Sequence, residues 1–266
     1  MRPSLDRIGP NFIDIWRWSL DPAPCEIDRL FPMLSGEEKA RASRFVYPEH
    51  RQHFIAGRAG LRLVLGHYLH LPPHRIGLTY NVFGKPRIAG ASELLHFNLS
   101  HSADVAMLAV SDHYPVGIDV EAIKPLKEDI AGHFFSKREC AALAAFAGDD
   151  YLNAFYRCWT RKEAFVKAHG AGLSLPLDSF DVTVDAASRP RLESLDGDRD
   201  APLNWSLFDL ASPPGFAGTL AALTLGNAVH LRYSDHNVLA LKASVAHPAH
   251  TDPRQRQNGG SRAIPV

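Results

Sequence analysis

The feature that most constrains the fold is a long amphipathic segment beyond the middle of the chain. Residues 155–173, FYRCWTRKEAFVKAHGAGL, predict one helix that ends near Gly170 or Gly172, because glycine favours helix C-termini. Apolar side chains recur at helical spacing, at Leu152, Phe155, Tyr156, Trp159 and Val166. Glu163 falls on the same stripe, so its carboxylate is expected to face inward. A buried carboxylate must be protonated, paired or bound to a cation, and the segment therefore predicts more than a core helix.

The composition describes a chain that can bury a core and that carries no net charge. Hydrophobic residues make up 45% of the 266 residues, and Lys+Arg and Asp+Glu each number 29. A protein that coats nucleic acid usually needs a basic surface, so we expect no nucleic acid partner. A small basic pocket for one phosphorylated ligand remains compatible with these numbers.

Cysteine usage and hydropathy predict a cytoplasmic protein. Cys25, Cys140 and Cys158 are far apart and form no CxxC pair, which is typical of reduced thiols and not of a disulfide or zinc framework. The opening residues, MRPSLDRIGPNFIDIW, lack the apolar core of a signal peptide. No apolar run approaches the ~20 residues that span a bilayer. We expect a monomer without a membrane partner.

Capping signals mark where several helices begin. The segments LSGEEKARASRF and SKRE each carry a serine followed three residues later by a glutamate, Ser35 with Glu38 and Ser136 with Glu139. These capping boxes predict helices that continue to about Phe45 and Phe146. Another helix is predicted after Pro48, and Asp149 and Asp150 can cap the long helix described above.

Strand signals complete a pattern of strand, helix, helix, strand, strand, strand that occurs roughly twice. Residues 11–20 are rich in β-branched and aromatic side chains, and residues 75–88 indicate a strand, a Gly-Lys-Pro turn and a strand. Further strands are predicted within residues 94–111, 114–123, 180–184, 204–210, 218–225 and 228–234. Antiparallel strands with segregated helices give an α+β fold.

No sequence repeat occurs at a fixed period, so any internal duplication is structural. We expect two segments, residues 1–112 and residues 113–243. Residues 244–266 combine Pro, Gly, Gln and Arg without periodicity, which predicts a disordered tail.

Three carboxylates have the pattern of a magnesium site. Asp119 and Glu121 lie two residues apart on a predicted strand, so both point to one face. Glu163 supplies a third acid, and a hard divalent cation would compensate all three charges. Mg²⁺ prefers oxygen ligands and often keeps substrate phosphates in its shell. Taken alone, the strand pair more often marks a solvated face, and Glu163 with Lys167 is a common surface pair.

Cationic and hydrogen-bonding side chains could hold a polyphosphate above such a cation. They are Lys85 in the Gly-Lys-Pro turn, Ser100 and His101 in the segment NLSHS, and Lys162 and Lys167 on the long helix. No one of them is specific, because a turn lysine is more often a solvated tip and a lone histidine more often a structural residue.

The motifs taken together resemble those of the 4′-phosphopantetheinyl transferases, specifically the larger surfactin-synthetase-activating type. The resemblance rests on GKP (84–86), FNLSHS (97–102), GIDVE (117–121), FFSKRE (134–139) and WTRKEAFVK (159–167), all in the family order. The segment GLSLPLDSF (172–180) also resembles the residues after that helix in the family. The match runs from about residue 35 to residue 184.

The resemblance implies two similar α/β halves with the active site in the cleft between them. It implies that coenzyme A donates its phosphopantetheine arm to a serine of an acyl or peptidyl carrier protein, releasing adenosine 3′,5′-bisphosphate. By this likeness Asp119, Glu121 and Glu163 bind Mg²⁺. Glu163 also removes the serine proton, and Lys167 steadies the charge on the transferred phosphate.

The resemblance also implies a set of coenzyme A contacts. They are Arg41, Arg58, Lys85, Pro86, Ser100, His101, Lys162 and Lys167. Arg41 falls where the family often carries lysine, and His53 falls where many members carry arginine. Arg58 lies near enough in sequence to substitute for that arginine.

Three other functions are weighed against this one. Ser100, His101, Ser102 and Asp104 crowd the segment NLSHSAD as in a hydrolase, but no G-x-S-x-G elbow occurs. The same acids could serve a different Mg²⁺ phosphotransferase, or the chain could be an inactive module that binds carrier proteins. For a carrier protein we expect a dock between residues 122 and 135, which includes Lys124, Lys127 and Phe134.

Overall fold

The computed structural model describes residues 8–90, 94–126, 130–234 and 236–241, apart from the side chain of Leu173. Within these ranges, no helix combines the length and the apolar character that crossing a membrane requires.

The first half, defined here as β1 to β5, contains one long helix and a small hairpin besides its sheet. Its strands are β1 (Phe12–Ser19), β2 (Leu78–Tyr80), β3 (Pro86–Ile88), β4 (His96–Ser102) and β5 (Val105–Ser111). Its helices are α1 (Pro24–Leu30), α2 (Gly36–Ala42) and α3 (Pro48–Leu69), with 3-10 turns at Phe31–Met33 and Pro73–Arg75.

The second half, defined as β6 to β10, has the same plan. Its strands are β6 (Val116–Ala122), β7 (Phe180–Val182), β8 (Leu192–Leu195), β9 (Trp205–Asp209) and β10 (Phe216–Leu223). Its helices are α4 (Ala131–Phe134), α5 (Lys137–Leu143), α6 (Gly148–His169) and α7 (Ala201–Asn204). Turns of 3-10 helix occur at Gly172–Ser174, Leu177–Ser179 and, near the end of the described chain, Val238–Ala240.

The two sheets repeat one strand order, which confirms an α+β fold of two similar halves. In the first half β5 lies between β1 and β4, and in the second β10 lies between β6 and β9. All four of these pairings are antiparallel. Each half adds a short hairpin and a helix of 22 residues, α3 or α6.

The end of the chain corrects the predicted extent of the second half. The last strand, β11 (His230–Tyr233), pairs in parallel with β1, so it joins the first sheet. Val238 and Leu239 also pack in the core of the first half. The pairing covers an edge of the first sheet that would otherwise leave backbone groups unpaired. The predicted tail, residues 244–266, lies outside the described residues.

Both capping boxes are confirmed, but the helices that follow them are shorter than predicted. Ser35 and Ser136 each accept a bond from the amide of the glutamate three residues on. The helices end at Ala42 and Leu143. The residues that follow form hydrogen bonds of the 3-10 type, between residues three apart, such as Phe146 N to Leu143 O.

The long helix α6 has no side-chain cap at its N-terminus, and it ends at a glycine in the left-handed conformation. Its N-cap is Ala147, which provides no side-chain cap, so Asp149 and Asp150 lie in the first turn and do not cap it as predicted. There their charges still favour the positive end of the helix. At the other end Gly170 has φ +82°, a left-handed conformation that glycine adopts freely, which confirms that predicted stop.

Helix α6 lies directly against β6, and Gly117 is the residue that permits this approach. A Cβ atom at Gly117 would lie 2.2 Å from both Ala164 O and Ala168 N. These are backbone atoms, which cannot move aside without displacing the helix. Because the same helix carries Glu163 and Lys167, this contact fixes how closely both approach the acids on β6.

We predict that Gly117→Ala destabilises the protein by about 3 kcal/mol, because the added methyl group has no space between helix and strand. Urea unfolding followed by circular dichroism measures the change. The control is Gly36→Ala, where an added Cβ meets nothing within 4 Å and a change of about 0.5 kcal/mol or less is expected. Equal stability of the two variants would contradict the contact described here.

Candidate active site

The candidate site lies where β4 of the first half meets β6 of the second. The amides of β6 donate to side chains of β4: Ile118 N to Asn98 Oδ1 at 2.8 Å, Val120 N to Ser100 Oγ at 3.4 Å and Ala122 N to Ser102 Oγ at 3.1 Å. The offset is twenty residues at each step, so the strands run in the same direction. Polar side chains therefore replace the backbone acceptors of an ordinary ladder at this junction.

The same hydroxyl groups contact the two acids of β6. Ser100 Oγ donates to Asp119 Oδ1 at 3.0 Å, and Ser102 Oγ donates to Glu121 Oε2 at 2.7 Å. Asp119 is 1% exposed, whereas Glu121 is half-buried. Both carboxylates lie on the β4 side of the strand, as their spacing of two residues predicts.

Helix α6 brings a cation to these acids. Lys167 Nζ lies 2.5 Å from Asp119 Oδ1 and 3.1 Å from Ser100 Oγ. Glu163, one turn earlier, lines the same cavity as Lys167. The structure therefore brings together five of the predicted site residues, Ser100, Asp119, Glu121, Glu163 and Lys167.

The three acids repel one another and are partly removed from water. Burial raises the pKa of Glu163, and the charges of Asp119 and Glu121 raise it further, against the opposing effect of Lys167. Burial also raises the pKa of Glu121, with a contribution from Asp119, while the Ser102 hydrogen bond and two lysines oppose the shift. The site thus carries more negative charge than Lys167 alone compensates.

One oxygen of this site has no hydrogen-bond partner among the described residues. It is Asp119 Oδ2, which is fully buried. An unpaired buried carboxylate oxygen is costly, and a hard cation would satisfy it. The donor set of three carboxylates also suits Mg²⁺, so these residues fit that cation by their chemistry.

The predicted convergence of three carboxylates is only partly present. Among the described residues, no three acidic, imidazole or thiol side chains form a ready-made metal cluster. In place of a cation ligated by three acids, the Lys167 ammonium lies against Asp119 and supplies positive charge there.

The cleft beside these residues has two chambers. A cavity of about 550 Å³, the apolar chamber, is lined by Glu163 and Lys167 together with Phe83, Phe134 and Leu175. A second cavity of about 730 Å³, the basic chamber, is lined by Arg41, Arg44, His53, Arg58 and His101, among others. Both are bordered by Gly84, Pro86, Asn98 and Leu99, so they are adjacent parts of one cleft.

The cations of the basic chamber differ in how they are held. Arg58 donates to Glu38 Oε1 at 2.6 Å and to Tyr80 OH at 3.1 Å, and His53 Nε2 lies 2.8 Å from Asp21 Oδ1. The Arg41 guanidinium lies 5.1 Å from the centre of the Phe54 ring and pairs with no carboxylate among the described residues. Arg44 was missed by the sequence reasoning, although it lies three residues after Arg41 in the same basic segment.

His101 lies on the wall of the basic chamber. Burial lowers its pKa, and the charges of Lys167 and His53 lower it further. These effects favour the neutral, hydrogen-bonding form of its ring over the charged form.

Lys85 lies at the cleft but uses two of its N–H groups inside the protein. Its Nζ donates to Val116 O at 3.0 Å and to Ala168 O at 3.1 Å, which ties the turn to β6 and to the end of α6. Burial, with a contribution from Arg87, lowers the pKa of Lys85 to about 8. This differs from the expected free phosphate-binding ammonium and gives Lys85 a structural function.

Lys162 corrects the predicted site, because it lies in the core. Its Nζ donates to Glu139 Oε1 and to Phe180 O, both at 2.7 Å, and its side chain is fully buried. Consecutive residues on a helix point ~100° apart, so Lys162 and Glu163 face different surroundings. Lys162 lines neither chamber.

The first half has a matching buried ion pair. Arg62 lies 14 residues after the start of α3 and Lys162 lies 14 residues after the start of α6. Arg62 donates to Glu38 as Lys162 donates to Glu139, and each glutamate is the one of its capping box. Lys162 therefore belongs to a repeated structural device.

We predict that Lys162→Met destabilises the protein by about 3–5 kcal/mol, because it leaves the Glu139 carboxylate buried without a partner. Chemical denaturation measures the loss. The double variant Lys162→Met with Glu139→Gln should recover part of it, because the uncompensated charge is then gone. A single variant as stable as the wild type would show that Lys162 is not structural.

Glu163 should make stability depend on pH when no divalent cation is present. Its folded pKa is raised above the ordinary 4.5, so its favourable contribution is present at low pH and is lost as pH rises through the folded pKa. We predict that Glu163→Gln raises the melting temperature near neutral pH in EDTA, and that the gain shrinks near pH 4. Exposed Glu49→Gln is the control, and a gain independent of pH would contradict the electrostatic cause.

The geometry of Ser100 argues against a serine hydrolase. Its hydroxyl donates to Asp119 and receives bonds from Val120 N and Lys167 Nζ. None of its contacts with described residues is an imidazole, so no base is in place to activate it.

Comparison with known proteins identifies relatives for both halves. Residues 115–222 match the family described as the 4′-phosphopantetheinyl transferase superfamily. Residues 17–113 match the family described as 4′-phosphopantetheinyl transferase, N-terminal.

Individual relatives agree with these families. The 4′-phosphopantetheinyl transferase HetI of Nostoc sp. is 35% identical over 218 residues, which are 80% of this chain and 89% of that protein. A 4′-phosphopantetheinyl transferase of Bacillus subtilis is 35% identical over 72% of this chain and 88% of its own length. The transferase Sfp of Bacillus subtilis is 36% identical over 63% of this chain and 74% of its own length.

Proposed function

The chain belongs to the 4′-phosphopantetheinyl transferase family and is an enzyme of that class, and we propose how its cleft performs the transfer. Coenzyme A binds across both chambers, and its phosphopantetheine arm passes to a serine hydroxyl of an apo acyl or peptidyl carrier protein. The observation that carries this proposal is that Glu163 and Lys167 line the cleft while Lys167 contacts Asp119, and that the charges of Asp119 and Glu121 act on Glu163. The leaving group is adenosine 3′,5′-bisphosphate.

The two chambers suit the two ends of coenzyme A. The nucleotide carries several phosphate charges, and the basic chamber supplies Arg41 and Arg44 for them. The uncharged pantetheine arm fits the apolar chamber, which contains Phe83, Phe134 and Leu175. The diphosphate then lies between the chambers, close to Ser100, His101 and Lys167.

Mg²⁺ is the cofactor that these carboxylates fit, and Asp119, Glu121 and Glu163 would hold it. When bound, it would neutralise charge on the diphosphate. Two observations support this assignment. The cation would reduce the repulsion among the three acids, and it would give the unpartnered Asp119 Oδ2 a ligand.

Glu163 is the group we assign to accept the proton of the attacking serine. Its carboxylate lines the same cavity as Lys167, where the proposal places the reacting phosphate and the attacking serine. The serine oxygen forms a bond to the phosphorus on the pantetheine side as the bridging P–O bond breaks. The electron pair of that bond leaves with the adenosine bisphosphate.

Lys167 supports the same step at the phosphate, while Glu163 accepts the proton. Its ammonium lies between Asp119 and Ser100 at the cleft and can donate to phosphate oxygens as their charge grows. The contact with Asp119 holds the ammonium in this position before substrate arrives.

The carrier protein is proposed to dock at the mouth of the apolar chamber. Phe134 is 47% exposed there and packs edge-on against Trp159, while Phe83, from the first half, is 51% exposed. Lys124 is exposed in the expected docking segment and suits an acidic partner. Lys127, named above for the same segment, lies outside the described residues.

Mass spectrometry tests the proposal directly. The enzyme is mixed with coenzyme A, Mg²⁺ and a panel of apo carrier proteins, and one of them should gain the mass of one phosphopantetheine group. Glu163→Gln should reduce the rate by about 10²–10⁴-fold at any Mg²⁺ concentration, because the base is lost. Exposed Glu49→Gln, on the first turn of α3, is the matched control.

The other outcomes separate the remaining functions. Binding of a carrier protein without any mass gain would indicate an inactive binding module. Near-normal transfer by Glu163→Gln would remove Glu163 from its assigned function while leaving the family activity in place.

A further inference from the structure

We propose that Ser102 is a positioning residue that holds Glu121 in the orientation needed to bind a divalent cation. The inference deepens the proposed function and rests on it. Its hydrogen bonds go to the Glu121 carboxylate and to the adjoining backbone amide of Ala122, so we assign it an action through Glu121.

The two hydrogen bonds of Ser102 fix the direction of its hydroxyl group. Its Oγ accepts from Ala122 N at 3.1 Å and donates to Glu121 Oε2 at 2.7 Å. A hydroxyl has one proton, and with the amide occupying an acceptor position that proton is directed to the carboxylate. Both partners of the Ser102 hydroxyl lie on β6, so this hydroxyl connects the backbone amide of Ala122 to the side chain of Glu121.

Glu121 needs such a partner more than Asp119 does. Asp119 has a short side chain, is almost fully buried, and receives bonds from both Ser100 and Lys167. Glu121 is longer and half-buried, and Ser102 is its only hydrogen-bond partner among the described residues. A glutamate side chain loses rotamer freedom when it is ordered, and the Ser102 bond restricts the rotamers of Glu121 before a cation binds.

The spacing of the hydroxyls matches the spacing of the acids. Ser100 and Ser102 lie two residues apart on β4, and Asp119 and Glu121 lie two residues apart on β6. Each hydroxyl therefore meets one carboxylate, and Glu121 Oε1 is left without a bond to any described residue. The arrangement holds one oxygen of Glu121 and leaves the other for a ligand.

The test measures binding of Mn²⁺, as a paramagnetic substitute for Mg²⁺, by electron paramagnetic resonance of the full chain with coenzyme A present. Ser102→Ala should weaken Mn²⁺ binding about tenfold, in the range found when a partner of a metal ligand is removed. Ser102→Thr keeps the hydroxyl and should retain wild-type affinity. Ser206→Ala removes a hydroxyl of β9 that is bonded to Thr224, and it should leave the Mn²⁺ affinity unchanged.

A second background separates positioning from general support of the fold. In Glu121→Gln, adding Ser102→Ala should produce no further loss of Mn²⁺ affinity, because the carboxylate that Ser102 positions is gone. If Ser102→Ala folds poorly, Ser102→Cys, a weak donor of similar size, should show the same loss. Wild-type affinity in the folded alanine or cysteine variant, or an equal loss in the Glu121→Gln background, would overturn the proposal.

These outcomes are distinct from failure of the proposed function. Failure of the wild type to modify any carrier protein would count against the transfer itself. If Ser102→Ala weakens Mn²⁺ binding and Ser102→Thr does not, the positioning of Glu121 would still be assigned to Ser102.

Discussion

The side-chain hydrogen bonds between β4 and β6 are the interaction on which the rest of the site depends. Two sheet edges meet there, and their backbones do not form a common ladder. Asn98, Ser100 and Ser102 instead accept from the amides of β6, so buried backbone groups are satisfied by side chains. Because serine hydroxyls also donate, the residues that join the halves orient the acids as well. The same side chains therefore join the two halves and orient the carboxylates of the site.

The two long helices place different side chains at matching positions. Arg62 with Glu38, and Lys162 with Glu139, occupy matching places and serve the packing of their halves. The next residue differs: Leu63 is buried in the first core, whereas Glu163 lines the cleft. A position that holds a buried leucine in one half therefore holds a carboxylate that lines the cleft in the other.

The sequence alone predicted the side-chain directions and helix starts that depend on local periodicity. Its prediction was wrong for a side chain whose position is set by a residue distant in the chain. The spacing of Asp119 and Glu121 placed both carboxylates on one side of β6, and two capping boxes marked two helix starts. Lys162 was misplaced because its neighbour Glu163 faces the cleft, and only the position of Glu139 shows where the lysine points.

Long-range pairing was also beyond local reasoning. Nothing in residues 230–233 shows that the strand returns to β1, since parallel pairing is set by the fold and not by the strand itself. The bonds of Lys85 to Val116 and Ala168 are equally invisible in a Gly-Lys-Pro turn, because both acceptors are backbone carbonyls of the other half. Arg44 was missed for a smaller reason, since the basic segment was found but only Arg41 was selected.

Lys167 connects the stability of the site to its chemistry. A buried Asp119 beside two further acids would be costly, and the ammonium at 2.5 Å provides the charge that makes the arrangement tolerable. The Lys167 side chain is 29% exposed and lines the cleft, so it is the member of this pair that a ligand in the cleft can reach. If the acids hold a divalent cation, as proposed, its charge would add to that of Lys167 beside Asp119. The balance of charge around Asp119 therefore links the packing of this site to the ligands that it is proposed to bind.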